Sequence, residues 1–173
     1  MLFIAAIVHN EKDFPRFTRD TRCKMEKKNE NPDILLLEDI GKNVSLYADT
    51  LTTIIGKTTD EGQKSLLSAM LDTCEGFVGN TKQRLQMLTT ETKMLSVLEK
   101  LPSEFSVVMS TLTDRSTSKI ASIVMENAVM NVSAFKEMIR KADETGASIE
   151  NIRLAGDILA FHEETINKMR RYL

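Results

Sequence analysis

The feature that most constrains this chain is an apolar spacing that alternates between three and four residues over long stretches. Leu37, Ile40, Val44, Tyr47, Leu51 and Ile54 form one such row. Leu67, Leu71, Cys74, Val78, Thr81, Leu85, Leu88, Thr92 and Leu95 form a second, and Ile152, Ala155, Leu159, His162, Ile166, Met169 and Leu173 a last. That spacing puts every member on one stripe of an α-helix and cannot line one face of a strand. The fold it predicts is all-α: an antiparallel up-down bundle of four main helices with coiled-coil-like seams.

Local signals set the boundaries. Asp33 follows Pro32 and is placed to cap a first helix over 33–56, which Gly56 ends. The second runs over about 59–100, capped by Thr59 or Asp60 and stopped at Leu101-Pro102. Gly76 and Gly79 fall inside it, but the row keeps its phase across them, so the helix is read as continuous. Ala69, Gly76 and Gly79 then offer a close approach to another helix. The third element is interrupted near Asp114, where the run Asp114 to Ser118 gives a bend and a fresh cap. From 117 to 143 the face Ala121, Val124, Ala128, Asn131, Phe135, Met138 and Ala142 is joined by Met125, Val129, Val132 and Ile139, a width that implies burial on more than one side. Gly146 and Ser148 turn the chain into a last helix from 148 to the end, whose Lys168, Arg170 and Arg171 suit the negative end of its dipole.

Two domains of unlike character follow. Residues 33–173 form the bundle, whereas 1–32 combine an apolar start with a polar arm. Met1 to Val8 are all apolar, too few to span a bilayer and without the basic start of a signal peptide, so they are read as a packing element or oligomer contact. Between Glu11 and Lys28 seven basic residues face four acidic ones, a local +3 that reads first as a solvated linker and second as a weak nucleic-acid arm. Overall the chain carries −2, which gives no general attraction to nucleic acid or anionic lipid.

No pattern of side chains spells out chemistry. Cys23 and Cys74 are unaccompanied, which fits a reducing, cytoplasmic setting. His162 sits on the last seam, but residue 159, where a di-metal bundle places glutamate, is Leu159, and Glu163 and Glu164 lie off the seam; a core histidine is expected. Gly56-Lys57-Thr58 lacks the first glycine of a phosphate loop, its place taken by Leu51, and reads as a turn. The sequons at Asn43 and Asn131 fall within helices. Most of the ten methionines have the spacing of core filler. No cofactor, metal or catalytic residue is assigned.

The reading that remains is a non-enzymatic interaction protein, structural, scaffolding or regulatory, that self-associates as a homo-oligomer, most simply a dimer, or docks another helical protein. Nucleic-acid binding through the 11–28 arm and membrane association through 1–8 are the alternatives. A second helix of about 42 residues would be roughly 60 Å long and outrun its neighbours. Its far end, about 85–118, would then project as a hairpin. On that tip Leu88, Leu95, Leu98, Leu101, Phe105, Val108, Met109 and Leu112 form the expected interaction surface.

Overall fold

The computed structural model describes residues 31–88 and 114–173. They fold into four helices, α1 (Pro32–Ile55), α2 (Glu61–Leu88), α3 (Thr117–Thr145) and α4 (Ile149–Met169), followed by a single 3-10 turn, Arg170–Tyr172. Among the described residues there is no strand, and the expected all-α bundle is what forms.

Each helix starts on a short polar side chain. Asn31 caps α1, its Oδ1 accepting the Asp33 N–H at 2.9 Å, with Pro32 pre-set in the first turn. Asp33, expected in that role, lies two positions after the cap, inside the first turn, and its carboxylate bonds instead to Ser148 and Asn151. Asp60 caps α2 by accepting from Gln63 N at 2.6 Å. Ser116 begins α3 by accepting from Lys119 N at 3.3 Å, after the non-helical Asp114 and Arg115. At the other end of α3, Gly146 adopts a left-handed φ of 79°, and the Ala147 N–H returns to Ala142 O at 3.0 Å. Glycine takes that backbone region without the clash a Cβ would cause. The Gly56-Lys57-Thr58 segment is the turn between α1 and α2, its N–H groups of Lys57 and Thr58 both donating to Ile54 O.

α1 packs closely on α2, and α3 on α4; α1 then lies against α3 and more lightly against α4. Every one of the three closest pairings is antiparallel. α2 and α3, however, run in the same direction. The beginning of α2 meets the beginning of α3, where Gln63 Nε2 donates to Thr117 O at 2.8 Å. The end of α2 meets the beginning of α4, where Arg84 Nη1 donates to Glu150 O at 2.8 Å. Leu85 and Thr117 therefore lie toward opposite ends of the bundle, about 33 Å apart along α2, the 22 helical rises from Gln63 to Leu85. Residues 85 and 118 thus do not start side by side as the two arms of a hairpin would, and the rest of that expected tip, 89–113, lies outside the described residues. The expectation rested on a short connection, which forces antiparallel neighbours; the 28 residues from 89 to 116 are long enough to return the chain to the other end.

The core is built as the α1 row requires: Leu37, Ile40, Val44, Tyr47, Leu51 and Ile54 are all buried. On α2, Leu67, Cys74, Thr81 and Leu85 are buried while Leu71 and Val78 are only partly so. The helix is continuous through Gly76 and Gly79, but a Cβ at either would meet nothing within 4 Å, so among the described residues no element approaches there. On α3 the first row goes inward, centred on Ala121, Val124, Ala128 and Phe135, whereas Val129 of the second row is 51% exposed; α3 is a flanking helix. α4 keeps part of its expected seam: Ala155, His162 and Met169 are buried, with Ile152, Leu159 and Ile166 at the margin and Leu173 exposed. The buried stripe extends to the neighbouring row Asn151, Leu154, Ile158 and Thr165, and because Asn151 and Thr165 are polar an apolar count does not reveal that row. Met70 and Met169 are core filler as expected, but Met87 and Met130 are exposed.

No helix among the described residues is long and apolar enough to cross a membrane.

Candidate interaction surface

Two clusters hold the unusual polar chemistry. The first is inside the bundle. Tyr47 of α1 and His162 of α4 stack edge to face with ring centroids 4.7 Å apart, with Phe161 and Phe135 packed against the imidazole. Phe77 of α2 meets Phe161 at 5.8 Å, so this aromatic group touches all four helices. His162 Nδ1 and Tyr47 Oη have no hydrogen-bond partner. Thr165 adjoins the phenol, but its own hydroxyl donates to Phe161 O at 2.9 Å. Burial pushes the His162 imidazole down to about 4, the Cys74 thiol up to about 12 and the Tyr47 phenol above its ordinary value. All three are thereby held neutral, as a packed core requires. Glu163 and Glu164 point away and pair with Lys136 and Lys168. Among the described residues no three His, Cys, Asp or Glu side chains are grouped to hold a metal.

The second cluster closes one end of the bundle. Asp33 Oδ1 accepts from Ser148 N at 2.8 Å, from Ser148 Oγ at 2.7 Å and from Asn151 Nδ2 at 2.8 Å. Asp33 is thus a cap supplied in trans to α4, whose own Ser148 makes no side-chain cap bond to its helix. A carboxylate at a helix N-terminus also gains from the dipole. Burial opposes ionisation of Asp33, but the bonds from Asn151 and Ser148 outweigh it and hold the carboxyl below its ordinary value. From α2, Arg84 donates to Asn151 Oδ1 at 2.9 Å and to Glu150 O, and is steadied by its own Nε bond to Asn80 one turn back. One amide, Asn151, thereby ties Asp33 of α1 to Arg84 of α2.

Apolar side chains rim this polar knot. Met87 and Leu88 of α2 border the same shallow depression as Asp33, Arg84, Ser148 and Asn151, and are 74% and 41% exposed. Ile149, between Ser148 and Glu150, is 71% exposed. Leu88 is the one residue of the expected surface that falls among the described residues, and it lies on this end face. Leu95, Leu98, Leu101, Phe105, Val108, Met109 and Leu112 lie outside the described residues, as do Met1 to Val8 and the 11–28 arm. Sequence reasoning missed Asp33, Arg84, Asn151, Met87 and Ile149. Met87 and Ile149 carry a faint signal, being large apolar residues off their helix seams. The polar partners carry none, because Asp33 and Asn151 are separated by 118 residues and nothing local pairs them.

The chain matches no protein-family model, no curated protein and no solved structure.

Proposed function

We propose that this chain is a non-enzymatic interaction protein that pairs with a second copy of itself, or docks another helical protein, through the end face carrying Met87, Leu88 and Ile149. The observation that supports this reading is the exposure of those three large apolar side chains on a backbone fixed by the Asp33, Asn151 and Arg84 bonds. Exposed apolar groups on a rigid support bind with little loss of conformational freedom, and a face of this kind marks an interface more often than a catalytic pocket. The setting that suits its unaccompanied cysteines is the reducing cytoplasm. The test is solution mass by light scattering over a range of concentrations, with Met87→Glu combined with Ile149→Glu as the variant. A dimer that reverts to monomer in the variant is expected. A wild-type monomer at all concentrations would refute self-pairing and leave docking of another helical protein, and a variant that remains dimeric would refute the assignment to this face.

A further inference from the structure

A groove runs between the first half of α1 and the last third of α3, on a different face from the end just described. Leu36 and Ala142 form its floor, the small Ala134 leaves it open, and Leu35 and Met138 form apolar walls, with Leu35 40% exposed. Pro32 and Thr145 stand at its mouth, so the chain preceding α1 enters the bundle at the opening of the groove. From Pro32 to Asp39 the groove is about 10 Å long, seven helical rises.

The preceding chain ends in the most apolar stretch of the sequence, Met1-Leu-Phe-Ile-Ala-Ala-Ile-Val8. We propose that this octapeptide seats in the groove between α1 and α3 of its own chain. Eight residues in a helix span about 12 Å, which matches the groove. The 23 residues from 9 to 31 that connect them form a polar tether. A random coil of 23 residues has a root-mean-square reach of about 25 Å, so the length of this segment is enough to return the octapeptide to a groove that opens beside Pro32. The tether also decides between occupants. An attached segment is present at an effective concentration in the millimolar range, so at micromolar protein it outcompetes the same segment of a second copy.

Hydrogen exchange on the full chain at micromolar concentration tests this. Amides of residues 2–8 are expected to exchange about tenfold more slowly than in a free peptide. Leu35→Glu, at a partly exposed site the bundle tolerates, should restore the free-peptide rate with helicity unchanged. A second variant leaves the bundle untouched: Ile4→Asp with Ile7→Asp should speed peroxide oxidation of Met138 several-fold relative to the exposed Met130. Free-peptide exchange in the wild-type chain, or Met138 oxidation indifferent to the octapeptide variant, overturns the proposal. Protection that appears only as the mass doubles overturns it too, by assigning the groove to a second copy.

Discussion

The two ends of this bundle are closed by different means. Where α1 and α4 begin, a carboxylate, an amide, a hydroxyl and a guanidinium satisfy one another across three helices, from Asp33 through Asn151 to Arg84. Where α2 and α3 begin, the Gln63 side chain makes one bond, to Thr117 O, and its buried Oε1 has no partner. A fully satisfied polar network specifies which groups must meet, whereas a half-satisfied one holds little beyond what its apolar surroundings supply. The first end therefore sets how the α1–α2 and α3–α4 hairpins are matched, and the aromatic core between the ends supplies most of the stability without discriminating among registers.

The core sets the upper scale for this contrast. Phe135→Ala, which empties a fully buried site beside His162, should cost about 3–5 kcal/mol in denaturant unfolding. A loss below about 1 kcal/mol would mean that the core is not the main source of stability.

Acidification acts on the same core through His162, held near 4 when folded against an ordinary 6.5. Above pH 6.5 the imidazole is neutral in both states and folding is unaffected. Between 6.5 and 4 the unfolded chain takes up the proton first, so stability falls as the pH drops, by roughly 3 kcal/mol in all. In His162→Phe that part of the pH dependence should vanish from thermal melts. An equal slope in wild type and variant would assign it to the carboxylates instead.

The contrast between the ends is tested by a matched pair of substitutions. Asp33→Ala strands the donors of Ser148 and Asn151 and should cost about 1–3 kcal/mol. Gln63→Met removes the unpartnered Oε1 together with one bond and should cost under about 1 kcal/mol. Equal losses would show that the ends are equivalent. Subtler still, Gly76→Ala and Gly79→Ala on the open face of α2 should each raise stability by about 0.5–1 kcal/mol, since a methyl group there meets nothing. A loss at either would reveal a neighbour on that face.

The sequence made the buried row of α1 legible residue by residue, because Leu37, Ile40, Val44, Tyr47, Leu51 and Ile54 are apolar at helical spacing, although its cap is Asn31 rather than Asp33. It was incomplete at α4, where Asn151 and Thr165 face inward for reasons that lie on other helices. The order of the helices in space was not legible either. Spacing along one helix reports which face is buried, and it says nothing about which partner covers it when the connection is as long as 89–116. The end-face site shares that difficulty: Leu88 followed from periodicity, while Asp33, Arg84 and Asn151 are joined only by the fold.

The parallel course of α2 and α3 also bears on how the chain folds. Each hairpin is closed by a turn of a few residues, so its contacts are local and can form in microseconds. Joining the two hairpins pairs α1 with α3, contacts of much higher sequence separation than any within a hairpin, and this is the slower step. A single residue added to the turn at Gly146 should be costly out of proportion to its size, because the left-handed backbone there fixes how α4 returns along α3 and so which faces the second hairpin offers the first.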